Sequence, residues 1–164
     1  MKRLGIWLFY LAILALSFQL IHTWQTRHML ATTGEFVVPP LTLPALSGGV
    51  HTVSADAEKN TLIYFFAPWC GICRASIGNL DAVDADTTTV VVIAMDYASV
   101  EDVQAFVHDV GVRQKVLLGN DTLKAYFKIH AYPTYYVLDT NFHVIRRDMG
   151  YSTAPGLKLK TRAW

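Results

Sequence analysis

Residues 62–73 constrain this chain more than any other segment. Leu62-Ile63-Tyr64-Phe65-Phe66 is an unbroken apolar run, followed at once by Ala67-Pro68-Trp69-Cys70-Gly71-Ile72-Cys73. An apolar run of that length without alternation reads as a central strand covered on both faces. Cys70 and Cys73 are the only cysteines. Two thiols separated by two residues act as one dithiol only on a shared turn, where one sulfur attacks a partner and the other releases it. In a chain that uses cysteine nowhere else, reactivity is favoured over stapling as the reason for this pair.

Strand and helix patterns alternate from about residue 41. Ile77, Leu80 and Val83 follow the cysteines at spacings of three and predict one apolar helix stripe. Thr89–Met95 is rich in β-branched residues and reads as a second buried strand. Ser99 is placed as a helix N-cap, with Glu101 and Asp102 in the first turn and Val103, Phe106, Val107 and Val110 at helical spacing. Val116-Leu117-Leu118 predicts a short strand, and Asp121 a cap for a helix facing inward with Leu123, Tyr126 and Phe127. Thr134–Leu138 and Phe142–Arg147 flank Asp139-Thr140-Asn141 as a hairpin. A short basic helix over 153–164 ends the chain. Strands separated by helices imply an α/β sheet.

The N-terminus sets topology. Met1-Lys2-Arg3 precedes Leu4–Ile21, an apolar run interrupted only by Gly5, Ser17 and Gln19. As a helix it spans about 27 Å, close to a hydrocarbon core. Lys2 and Arg3 favour a cytoplasmic N-terminus, and Tyr10 and Trp24 stand as interfacial aromatics. The rival reading is a cleaved signal peptide ending near Ala15-Leu16-Ser17. Either one exports the remainder to a compartment where disulfides persist. The next stretch is mixed in polarity, carries Thr32-Thr33-Gly34 and ends in Pro39-Pro40, as expected of an extended tether. The division is an anchor over 1–24, a linker over 25–40 and a domain over 41–164. A net charge of +1 points to no nucleic-acid partner.

A Cys-x-x-Cys pair is also half of a zinc site, but structural zinc takes four ligands. The chain has no second cysteine pair, and its six histidines are scattered. No metal is therefore assigned. A redox dithiol and a structural disulfide remain, and the redox dithiol is favoured.

Phe65–Cys73, with Ala131-Tyr132-Pro133-Thr134 leading into a strand, resembles the thioredoxin superfamily over most of residues 41–164. The resemblance implies a thioredoxin fold, an α/β central mixed sheet flanked by helices, here behind an N-terminal transmembrane helix. A helix beginning at the motif places Cys70 at its N-terminus as the exposed attacking thiolate, with Cys73 one turn in as the buried resolving thiol. Trp69 is expected to flank the site as an apolar lid, or else to pack in the core. The matching proline of the superfamily is cis and faces the dithiol, so Tyr132 and Pro133 are expected to present a substrate-binding edge. Gly71 and Ile72 form the dipeptide that sets redox poise. Ile72 cannot donate a hydrogen bond to Cys70, which argues against a strong oxidant.

Two positions depart from the superfamily pattern. A buried aspartate is common six residues before the first cysteine, where this chain has Tyr64. Envelope members often carry a glutamate three residues after the second cysteine, where it has Ser76. Water, the Tyr64 hydroxyl or a main-chain group is left to serve instead. The anchor, tether and single domain resemble the TlpA, ResA and DsbE group of bacterial envelope proteins. Trp-Cys-Gly-x-Cys-Arg at 69–74 and Gly150-Tyr151-Ser152-Thr153 before Leu157-Lys158-Leu159 resemble the small anchored suppressor of copper sensitivity D family. The resemblance implies a thiol–disulfide oxidoreductase, favoured as a reductase, in the bacterial inner membrane with one pass and its domain in the periplasm. Its partners would be envelope protein thiols and disulfides and a membrane electron donor or acceptor; it would be a monomer and need no cofactor beyond the Cys70–Cys73 pair. The alternatives are an oxidase or isomerase, and a Cu(I)-binding or metalloprotein-assembly module using the same thiolates.

Overall fold

The structure is a computed structural model that describes residues 2–34 and 36–162. In chain order its elements begin with α1 (Lys2–Thr26), β1 (Leu41–Pro44), β2 (Val50–Val53), β3 (Asn60–Phe66) and α2 (Gly71–Ser76). A 3-10 turn over Ile77–Ala82 leads to β4 (Thr88–Ala94), α3 (Val100–Val110), β5 (Lys115–Leu118) and α4 (Asp121–Tyr126). The hairpin β6 (Thr134–Leu138) and β7 (Val144–Met149), then α5 (Ala154–Thr161), complete the fold.

Five strands form one mixed sheet in the order β5-β4-β3-β6-β7. β3, β4 and β5 run parallel, while β6 and β7 pair antiparallel. Every residue of β3 is buried, which explains its unbroken apolar run. Its side chains alternate between two cores. Ile63 and Phe65 join Leu123 and Phe127 around α4 on one face. Leu62, Tyr64 and Phe66 join Cys73, Ile77, Val103, Phe106 and Leu157 of the α2, α3 and α5 face. The fold is the thioredoxin fold, as expected, with an apolar N-terminal helix before it.

Local signals explain the helices. Ser99 Oγ accepts the Asp102 N–H at 3.2 Å, and the Asp102 carboxylate accepts the Ser99 N–H at 3.1 Å, closing a capping box. Gly111 ends α3 in the left-handed region at φ 67°. Two assignments change. The cap of α4 is Asn120, whose Oδ1 accepts the Leu123 N–H at 2.9 Å, and Asp121 is the first helical residue. The stripe Ile77, Leu80, Val83 is buried, but it lies in and just after the 3-10 turn and not in an α-helix. Spacings of three suit that geometry, in which residues i and i+3 eclipse. Of the terminal helix expected over 153–164, α5 spans Ala154–Thr161; residues 163–164 lie outside the described residues.

The N-terminal segment brings the largest correction. Ile6–Thr26, 21 residues, is long and apolar enough to cross a membrane, and its large apolar side chains, Trp7, Leu11, Leu14 and Ile21 among them, are exposed. Arg27 stacks over Trp24 at 4.8 Å. The 25–40 segment, expected as a free tether, is in good part packed on the domain. Met29, Leu30 and Val38 are buried in the α4-side core. The Leu30 N–H donates to Tyr136 Oη at 3.3 Å, and Arg147 donates to the carbonyls of Met29 and Leu30. Val37 bridges to His143. Three buried apolar side chains outweigh the local mixture of polar residues and prolines that reads as linker. A two-stranded antiparallel hairpin, β1 with β2, precedes the main sheet and was not expected. Its signal was Leu41 and Leu43 in alternation before Gly48-Gly49, both at positive φ.

Candidate active site

The end of β3 places the dithiol. Ala67, Pro68 and Trp69 turn the chain, and the Cys70 N–H donates to Ala67 O at 3.0 Å. Cys70 is the N-cap of α2 in extended conformation (φ −80°, ψ 108°). Its sulfur accepts the Cys73 N–H at 3.1 Å, one of the donors that a helix start leaves without an intrahelical partner. Cys70 and Cys73 are joined as a disulfide, with Cα atoms 5.2 Å apart. Cys73 is fully buried and Cys70 is 6% exposed. The order matches expectation, but Cys70 is less open than an exposed nucleophile. Gly71 and the half-exposed Ile72 lie on the first turn above it.

Antiparallel pairing of β6 with β3 sets Thr134 opposite Phe65, so Tyr132 and Pro133 arrive at the strand end that feeds the dithiol. The Tyr132–Pro133 peptide is cis. Pro133 is buried, and its carbonyl accepts the Gly150 N–H at 2.8 Å. Trp69 is 69% exposed, so it does not pack in the core. Its ring meets Tyr132 edge-on at 5.7 Å, and its indole N–H donates to Asp96 O at 2.9 Å. Trp69 and Ile72 thus give the cysteines exposed apolar neighbours, and Tyr132 packs against the core cluster that holds both sulfurs. Beside them lies a groove of about 400 Å³ lined by Pro68, Trp69, Arg74, Asp96, Tyr97 and Phe106, among others.

Residues 36–147, well over half of the chain, match the model of the AhpC/TSA family. The chain belongs to the AhpC/TSA family. The thioredoxin-like protein YneN of Bacillus subtilis is 24% identical over 128 residues, covering 75% of each chain. The structure of StoA from Bacillus subtilis superposes with a TM-score of 0.67 at 19% identity, covering 77% of this chain and 98% of that one. A secreted Mycobacterium tuberculosis disulfide oxidoreductase homologous to E. coli DsbE gives 0.64 at 22% identity, covering 74% and 93%. These structural likenesses are likenesses of fold.

Within this AhpC/TSA-family chain, the two positions without a carboxylate meet each other. Tyr64 Oη and Ser76 Oγ lie 2.9 Å apart, both buried, and Ser76 donates to Ile72 O at 2.8 Å. Burial pushes the Tyr64 hydroxyl far above the ordinary tyrosine range, so it stays protonated at neutral pH. The ring of Tyr135 stacks on Tyr64 at 6.3 Å, and its hydroxyl meets Asp148, Ser152 and Lys160. Lys160 pairs in turn with Asp148. Burial first, and then Asp148, raise Tyr135 strongly as well. The Tyr132 hydroxyl is buried beside the Asp96 carboxylate; burial first, and then Asp96, keep it protonated.

Asp96 is the residue that sequence reasoning missed. It follows β4 at positive φ (46°), its carbonyl fixes Trp69, and its carboxylate pairs with Lys124. The signal was available, because polar residues just beyond the carboxyl ends of parallel strands are where α/β sheets place their sites.

Proposed function

We propose that this chain is a membrane-anchored thiol–disulfide oxidoreductase that reduces disulfides of envelope proteins. Cys70 is the attacking thiol and Cys73 the resolving one; Trp69, Tyr132 and Pro133 form the substrate edge, and Gly71-Ile72 tunes the potential. The observation that carries the reading is the asymmetry of the pair. Cys70 has the exposed fraction and a main-chain N–H aimed at its sulfur, whereas Cys73 is fully enclosed. A thiolate on Cys70 draws on that donor in a way that Cys73 does not.

The steps balance as a two-electron exchange. Cys70 thiolate attacks one sulfur of the substrate disulfide, forms a mixed disulfide and expels one substrate thiolate. Cys73 loses its proton and attacks the Cys70 sulfur. The second substrate thiolate leaves, and the Cys70–Cys73 disulfide remains. The substrate gains two electrons, which a dithiol carried by a membrane protein must return. The dithiol is itself the redox group, so the reading needs no cofactor. The apolar helix before the domain supports anchoring, and Lys2 and Arg3 support a periplasmic domain in the inner membrane. The reducing direction rests on Ile72, which has no hydrogen bond to give Cys70.

Trapping tests the roles. Cys73→Ser accumulates mixed disulfides through Cys70, and Cys70→Ser accumulates none; equal trapping by both, or by neither, rejects the assignment. The reduction potential of the full chain in detergent tests direction. A value near −270 mV, as in thioredoxin, supports reduction, and one near −120 mV overturns it.

A further inference from the structure

Four groups line up between the sheet and the attacking sulfur. Ser76 gives its hydroxyl proton to Ile72 O at 2.8 Å. With that proton committed, the 2.9 Å contact with Tyr64 has Tyr64 as donor, and burial keeps Tyr64 protonated. Ile72 O and the Cys73 N–H belong to one peptide unit. That N–H donates to Cys70 Sγ at 3.1 Å. The result is an unbroken series in one direction: Tyr64 O–H to Ser76 O–H, to the Ile72–Cys73 peptide, to the Cys70 sulfur. A hydrogen bond on a peptide carbonyl polarises the N–H at its other end, and bonds in such a series strengthen one another, the more so in a dry interior.

We infer that Tyr64 and Ser76 are positioning residues that stabilise the Cys70 thiolate from behind, through the Ile72–Cys73 peptide. This rests on Cys70 being the attacking thiol. Both hydroxyls are neutral, so the relay carries no charge of its own and works across the whole neutral range. It polarises the N–H that Cys70 already accepts, at positions where the chain has no carboxylate. The charged groups on surrounding elements are occupied elsewhere: Arg74 pairs with Asp109 of α3, Asp96 with Lys124 of α4, and Lys160 with Asp148. Tyr132 and Tyr135, which also stand near the site, are held protonated. None of these pairs is touched by the variants below.

The test is the thiol pKa of Cys70 in the full reduced chain in detergent. It is read by thiolate absorbance and by the pH profile of iodoacetamide alkylation, each cysteine being resolved by peptide mass. Removing the hydroxyl in Ser76→Ala breaks the series and raises the Cys70 pKa by about 0.3 unit, a twofold loss of thiolate below the pKa. At a pH above the Cys70 pKa, where the thiolate is populated, the same twofold change appears in the glutathione equilibrium, favouring the disulfide, and corresponds to about 9 mV. Tyr64→Phe keeps the ring and raises the pKa by about half as much. In the Ser76→Ala background Tyr64→Phe adds nothing, because its only route is through Ser76. A folded Ser76→Ala protein with an unmoved Cys70 pKa overturns the inference, and so does additivity in the double variant. If Cys70 in the parent chain is not the faster-alkylating thiol, the role assignment itself fails, and the two failures are told apart by the parent profile alone.

Discussion

Leu30→Ala tests whether the segment after the membrane helix is part of the domain. Leu30 is 2% exposed and sits in the core cluster with Phe127, Tyr136 and Leu138. Truncating an enclosed leucine costs about 2–5 kcal/mol through lost transfer energy and the cavity left behind. The cost has a ceiling: once it exceeds the docking energy of residues 29–30, the segment lets go and the remainder of the domain stands. Two buried side chains contribute about 3–6 kcal/mol together. Ordering two residues of backbone takes back about 2–4 kcal/mol. Two bonds from Arg147 and one to Tyr136 restore part of that. The expected loss is therefore near the low end, about 2 kcal/mol, against a total of about 5–15 kcal/mol for a domain. In urea it moves the midpoint down by about 1 M, with the slope unchanged. The assay uses residues 27–164, which retain the docked segment, with exposed Leu159→Ala as a control that stays within about 0.5 kcal/mol. If Leu30→Ala matches that control, residues 29–30 are a free tether and the reasoning is wrong.

Gly119 lies where an added Cβ would stand 2.1 Å from Met95 Sδ and 3.1 Å from Ala94 O, so Gly119→Ala is expected to cost about 1–3 kcal/mol in the same urea measurement. Asn120→Ala removes the cap of α4 and should cost about 1 kcal/mol, with Asn120→Asp close to the parent. Tyr136 supplies a pH signature. Burial holds its hydroxyl up to about 12, even though the Leu30 N–H and Arg147 pull it down. Its folded value lies above the unfolded one near 10, so the stability it contributes is complete below about pH 10 and is lost as pH rises through about 12. The urea midpoint should fall across that window by an amount worth roughly 2–3 kcal/mol, and Tyr136→Phe should flatten that fall.

The sequence was legible wherever one residue decides one feature. Ser99 and Asp102 spell out a capping box, and the apolar run of β3 allows no other place than the centre of a covered sheet. The cysteine spacing, and the resemblance that singles out Pro133, point to the strand end where the structure brings Tyr132 and Pro133 toward the dithiol. What escaped depends on partners far away in the chain. Leu30 among Ala31, Thr32, Thr33 and Gly34 looks like linker until Tyr136 and Arg147, over a hundred residues later, turn out to hold it. Asp96 looks like an ordinary loop residue until Trp69 is seen to lean on its carbonyl. The apolar stripe at 77, 80 and 83 is buried in and after a 3-10 turn and not on an α-helix, because a spacing of three fits both a sparse α-helical face and a 3-10 turn.

The departures at Tyr64 and Ser76 invite two opposite conclusions from sequence, a weakened site or a substituted one. The hydrogen bonds favour substitution. A carboxylate behind a buried thiol would accept a proton and would also titrate, coupling its own ionisation to that of the dithiol. Two hydroxyls held in series by a peptide do neither. They exchange a pH-dependent helper for a fixed dipole, which would suit the exported domain proposed above if its surroundings vary in acidity. The consequence falls unevenly on the two sulfurs. On the roles proposed above, Cys70 retains electrostatic support across the neutral range, whereas Cys73 receives no base from either position and must lose its proton by another route when the mixed disulfide resolves. Resolution, and not attack, is then the step most exposed to the missing carboxylate, and the departing substrate thiolate is the base which that step itself generates.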